Sequence, residues 1–258
     1  MEREAVLFDV ADNVATITLN RPDSLNAFNK AMADDMTWVW ETIRDTDDIH
    51  CAVLQANGDR AFCTGLDIKS DGSWFQKENV WNSFDPGALL GPKFQHRVWK
   101  PVVTAVHGLC AGGAHYFLNE SDIIICSDDA VFFDPHANVG IVSSLEPMGM
   151  LHRGVPLGDV LRWALMGNEE RITADTALRL GLVTEVVTRE QLRDRAQEIA
   201  LSIARRNPKA IQGTIRAIWE SLDMTRTAAI QNGLSYTQIG NFPPAPPPPR
   251  DKSETQYR

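Results

Sequence analysis

Two stretches of this 258-residue chain set glycine beside residues that carry chemistry. GLCAGGAHYFLNESD, residues 108–122, places Gly112 and Gly113 directly before His115 and Tyr116, and AFCTGLDIK, residues 61–69, sets Gly65 before Leu66 and Asp67. A strand that ends in glycine and feeds a helix presents unpaired main-chain N–H groups at the positive end of a dipole. Such a turn favours negative charge, and the absent side chains let a ligand oxygen approach the backbone. One preorganised donor of this kind is worth about 3 kcal/mol on an oxygen that gains charge during a reaction. Two such turns could each give one N–H to a shared oxygen. The same glycines also permit tight packing of helix on strand, and the stretches alone leave both uses open.

The surrounding elements must position these turns. Leu7–Val10 and Val14–Leu19 are β-rich runs split by Asp12-Asn13, which predicts a hairpin. Met32, Met36, Val39, Trp40 and Ile43 recur at helical spacing, and Cys51–Leu54 follows as a short buried strand. Pro101–Val106, the Gly-Gly turn with its helix, and Ile123–Cys126 form a βαβ order, hence a sheet of parallel character. Residues 70–99, with Trp74, Phe75, Trp81, Phe84, Phe94 and Trp99, read either as an aromatic flap or as a helix pair that buries its rings. Thr188–Gln191 reads as a capping box opening a long helix to Asn207-Pro208, and a further helix is expected from Lys209 to about Ile239. The proline-rich residues 242–258 are expected to stay extended or disordered.

Composition limits the function. With 43% hydrophobic residues the chain can bury a sizeable core, and a formal charge of −9 offers no global basic field for nucleic acid or an anionic membrane. Cys51, Cys63, Cys110 and Cys126 have no C-x-x-C spacing and read as reduced core thiols of a cytoplasmic protein. No apolar run is long enough to span a bilayer, and the histidines show no metal-ligand spacing.

AFCTGLDIKS together with KPVVTAVHGLCAGGAHYFLNESD resembles the paired signature of the crotonase superfamily, the enoyl-CoA hydratase/isomerase family. LNRPDSLNAFN, the Pro135 loop and ADTALRLGLVTEVV agree in the same order, so the resemblance covers roughly residues 5–200. It implies an α/β fold, a spiral of ββα units over residues 1–200. A helical C-terminal region at 201–241 would serve oligomerisation and as an active-site lid, in homotrimers or hexamers that bind acyl-coenzyme A. Coenzyme A would enter as part of the substrate, with no further cofactor. The resemblance places an oxyanion hole on the N–H groups of Leu66 and Gly113. It also makes Arg21, Ala27, Ala61, Asp67, Ile68 and Lys69 candidates for contact with coenzyme A, with Arg21, Lys69 and Lys100 as candidate phosphate ligands.

One departure matters. The family's hydratases carry two glutamates, whose positions here hold Tyr116 and His136. His136, with a reference pKa of about 6.5, can serve as a base at neutral pH, while Tyr116, at about 10, stays protonated and donates a hydrogen bond. Glu146 lies in a segment that in some branches brings a further acid to the acyl group, although an acid in a first helical turn is stabilising by itself. The resulting expectation is an enzyme that stabilises a thioester enolate, hydratase- or isomerase-like with altered acid/base residues. Two alternatives stand beside it: a carbon–carbon hydrolase or decarboxylase acting on β-keto or malonyl-type thioesters, and an inactive acyl-CoA-binding protein.

Overall fold

The structure, a computed structural model, describes residues 3–70, 74 and 85–240. Its first sheet runs in the order β1 (Val6–Ala11), β2 (Val14–Leu19), β3 (Cys51–Ala56), β5 (Val102–Val106), β7 (Ile123–Ser127) and β10 (Glu185–Val187). The second is β4 (Ala61–Cys63), β6 (Leu109–Ala111), β8 (Val131–Phe133) and β9 (Ile172–Thr173). Helices α1 (Lys30–Asp45), α2 (His115–Asn119), α3 (Leu145–His152), α4 (Leu157–Met166), α5 (Ala174–Leu180) and α6 (Leu192–Ala204) intervene. The successive pairs β3–β4, β5–β6 and β7–β8 each give one strand to each sheet, and neighbouring turns pair in parallel. This is the ββα spiral that the resemblance implied.

Local chemistry explains the elements. Asp12 and Asn13, at φ 49° and 64°, form the left-handed two-residue turn whose twist suits the antiparallel β1–β2 hairpin. Asn29 caps α1 by accepting the Met32 N–H at 3.1 Å, and the predicted stripe from Met32 to Ile43 is buried. All six residues of β3 are buried, because its two faces serve two layers. Ala52, Leu54 and Ala56 join the main core, whereas Cys51 and Val53 meet Leu192, Ala196 and Ala200 of α6. All four cysteines are buried free thiols.

Several expectations are corrected. Lys100 is no phosphate ligand: its buried ammonium donates to Ile43 O (2.7 Å) and Thr46 O (2.6 Å), satisfying carbonyls at the end of α1. Thr188–Gln191 is no capping box, since Gln191 N–H bonds the Thr188 carbonyl in a turn and α6 begins without a side-chain cap. The single helix expected from Lys209 is two, α7 (Pro208–Ser221) and α8 (Arg226–Gly240), because the Thr225 hydroxyl accepts the Ala228 N–H and starts a new helix. The chain divides into two compact units, Met1–Pro208 and Lys209–Arg258. Within the second, Glu220 of α7 binds Asn232 (3.1 Å) and Tyr236 of α8. Of the aromatic segment 70–99, the described residues hold a 3-10 turn at Pro86–Leu89, with Trp74 packed on the core and Phe94 exposed. Phe75, Trp81, Phe84 and the proline-rich tail lie outside the described residues. No helix among the described residues is long and apolar enough to cross a membrane.

Candidate active site

The two glycine turns converge. A Cβ built on Gly65 would lie 3.1 Å from both Gly113 N and Ala111 O, so only glycine allows the loops this approach. Gly65 at φ +82° and Gly112 at φ +51° also hold left-handed conformations that L side chains resist. The strand pairing sets the direction of the Leu66 amide. Phe28 N–H donates to Gly65 O (2.8 Å) and Asp67 N–H to Phe28 O (2.9 Å). Successive N–H groups of an extended segment point to opposite sides, so the Leu66 N–H faces away from Phe28. Gly113 is the second residue of the 3-10 turn Gly112–Ala114, where an N–H has no partner within the helix.

Around this junction sits a chain of titratable groups from four elements. Tyr116 of α2 donates its hydroxyl to Asp85 Oδ2 at 3.2 Å and stands beside Glu146 of α3. His136, in the turn after β8, hydrogen-bonds Asp134 Oδ1 through Nδ1 and turns Nε2 towards Glu146 Oε1, 3.8 Å away. Its Cε1 would lie 3.4 Å from a Cβ on Gly112, which places the imidazole against the glycine turn. The Asp134 hydrogen bond raises the proton affinity of His136 above that of free imidazole, burial opposing it and the Asp134 and Glu146 charges adding to it. Burial pushes the Glu146 carboxyl up, only partly offset by backbone hydrogen bonding and His136. Tyr116 is held protonated, first by burial and then by its two acidic neighbours. Glu146, only 3% exposed, is therefore no surface acid on a helix end. His115 points the other way, fully buried against Trp163 with a ring separation of 4.6 Å, and burial lowers its pKa to about 4.

The residues considered for coenzyme A fall along one loop. Arg21 pairs with Asp67 Oδ2 at 2.8 Å and donates to the Ala27 carbonyl, while Ala61 is buried in β4. Burial opposes charge on Asp67, but Arg21 and the Lys69 and Ser70 amides hold its carboxyl below the usual range. Ile68, at 86% exposure, and Lys69 lie open to solvent.

Four supporting residues escaped the sequence reading. Asn26, fully buried, ties the loop to Asn57 O and Ala61 O at 2.9 Å each. Asn119 donates to Glu146 O at 3.0 Å and so holds the start of α3 against α2. Asp85 carried no local signal. Asp134 did, standing two residues before His136. A separate cavity of about 280 Å³ opens near His107, Arg189 and Arg193, at the entry ends of β4 and β6. Its guanidinium groups are engaged by Gly58, Asp59 and Ala56 carbonyls, so it belongs to loop packing.

Two converging main-chain turns on a ββα spiral define a protein of the crotonase class. The sequence pattern described as enoyl-CoA hydratase/isomerase matches residues 9–238. An (E)-benzylidenesuccinyl-CoA hydratase of Thauera aromatica is 31% identical over 234 residues, covering 91% of this chain and 88% of the relative. A short-chain-enoyl-CoA hydratase of Clostridium acetobutylicum is 33% identical, with coverage of 84% and 82%. The crystal structure of an enoyl-CoA hydratase/isomerase from Mycobacterium paratuberculosis superposes with a TM-score of 0.82 at 33% identity, covering 92% and 90% of the two chains. The chain belongs to the enoyl-CoA hydratase/isomerase family and is an enzyme of its lyase/isomerase kind.

Proposed function

We propose that this enzyme adds water to, or removes it from, an acyl-CoA thioester through an enolate whose oxygen is held by the N–H groups of Leu66 and Gly113. The observation that carries this reading is Glu146, buried yet 3.8 Å from His136 Nε2. That gap is too long for a direct hydrogen bond and admits one oxygen at ~2.8 Å from each atom. In the dehydrating direction the Glu146 carboxylate takes the α-proton and charge moves onto the thioester oxygen. The β-hydroxyl then takes the Nε2 proton of His136 and leaves as water. A proton passed from Glu146 to His136 restores the starting state, and hydration is the reverse. Tyr116 donates to Asp85 and stands beside Glu146, where it can help keep that carboxyl in place. The raised proton affinity of His136 supports acid rather than base as its resting role.

At the other end of the substrate, Lys69 and Ile68 are exposed for contact with coenzyme A, whereas Arg21 braces Asp67 and Ala27 beneath them. Exposed Met148, Leu157, Leu161 and Leu165 on α3 and α4 favour assembly into a homotrimer or hexamer.

Turnover of a panel of enoyl- and β-hydroxyacyl-CoA thioesters tests the reading. Glu146→Gln should lower kcat by about 10²–10⁴-fold with little change in KM. Unchanged kcat would refute it. Tight binding without turnover of any member would instead support an acyl-CoA-binding protein.

A further inference from the structure

We propose that Asp134 is the positioning residue of this site: its buried carboxylate takes the Nδ1–H of His136, fixes the ring with Nε2 towards Glu146, and thereby makes His136 the proton donor and Glu146 the acceptor. The inference rests on the acid/base reading above and adds a residue to it. Asp134 is fully buried, directly after β8, and its Oδ1 accepts both the Nδ1–H and the main-chain N–H (3.1 Å) of His136. Two bonds from one oxygen to one residue leave the imidazole a single orientation. With Nδ1–H committed, Nε2 alone can exchange a proton with the reacting atoms.

Burial raises the proton affinity of this carboxyl, yet the hydrogen bonds from His136, with Ser143 beside them, hold Asp134 below its ordinary range. An ionised partner favours the imidazolium form. The other groups facing His136 act less directly. Glu146 stands across the gap on α3, and His115 lies behind the Gly112 turn, neutral and fully buried. Tyr116 reaches His136 only through Glu146, with Asp85 beyond it. In the following turn, Asn138 bonds Glu169 at 3.3 Å, and Arg162 is spent on Glu170 at 2.6 Å. Among the described residues, Asp134 is thus the one carboxylate in hydrogen-bond contact with the ring.

The test uses the full-length enzyme, the thioester panel and the variants Asp134→Asn, His136→Gln and their double. Asp134→Asn should move the basic limb of the kcat/KM profile to lower pH and reduce kcat about 10²-fold near pH 8, with much less effect near pH 6. In the His136→Gln background the second substitution should add almost nothing, since Asp134 acts through the ring. A basic limb that stays in place, or additive losses in the double variant, would overturn the inference. Should Asp134→Asn not fold, NMR titration of His136 in the unmodified protein decides: a pKa above that of free imidazole supports the role and one at or below it refutes it. If neither His136→Gln nor Glu146→Gln changes turnover, the acid/base reading itself has failed. If both abolish turnover but Asp134→Asn leaves the profile unmoved, only the role of Asp134 is lost.

Discussion

Gly65→Ala isolates the junction of the two turns. The new Cβ would lie 3.1 Å from Gly113 N and Ala111 O, both main-chain atoms, so it cannot be relieved by turning a side chain. At φ +82° an alanine also bears the left-handed penalty of about 1–2 kcal/mol. Easing the contact by a few tenths of an ångström separates the loop of Leu66 from that of Gly113. An oxyanion donor moved out of line costs about 3 kcal/mol in the transition state, a fall of roughly 10²-fold in kcat. Stability should drop by only about 1–3 kcal/mol, leaving most molecules folded at 25 °C. The assay pairs steady-state kinetics on the best thioester of the panel with urea denaturation. A variant destabilised as expected but with kcat within about twofold of the parent would show that the Gly65–Gly113 approach serves packing alone.

Two further outcomes follow. Lys93→Met removes an ammonium only 5% exposed that binds Asp122 Oδ2 (2.8 Å), Val98 O (3.0 Å) and Lys100 O (3.2 Å), so a buried cation and the two carbonyl contacts it satisfies are lost together. It should lower unfolding free energy by about 3–5 kcal/mol, and a loss under about 1 kcal/mol in urea titration would contradict this account. The kcat/KM profile of the parent enzyme should be bell-shaped, with its acid limb above the free-carboxylate range because burial raises Glu146, and its basic limb above that of free imidazole because Asp134 raises His136. Stability runs parallel at this pair: the contribution of His136 is complete below its unfolded pKa and fades as pH rises through the folded value, whereas that of Asp134 fades as pH falls. Limbs at the values of the free groups would refute both arguments.

The sequence by itself determined the features set by near neighbours. Asp12-Asn13 between two β-rich runs marks a hairpin turn, the stripe from Met32 to Ile43 has a helical period, and the glycines at 65 and 112 mark turns where the backbone adopts conformations that L side chains resist. The order of strands and glycine turns pointed only to a sheet of parallel character; the spiral and its family came into view through the resemblance of AFCTGLDIKS and KPVVTAVHGLCAGGAHYFLNESD to the crotonase signature. Tertiary structure alone decided which charges meet. Lys100 closes α1 by reaching Ile43 across 57 positions, Asp85 finds Tyr116 across 31, and Glu146 turns inward because Asn119 of α2 holds the backbone at its base. The cause is physical: turn and helix propensities are fixed within a few residues, while an ion's partner, and hence whether it is a surface charge or an acid of the site, depends on how separate elements pack.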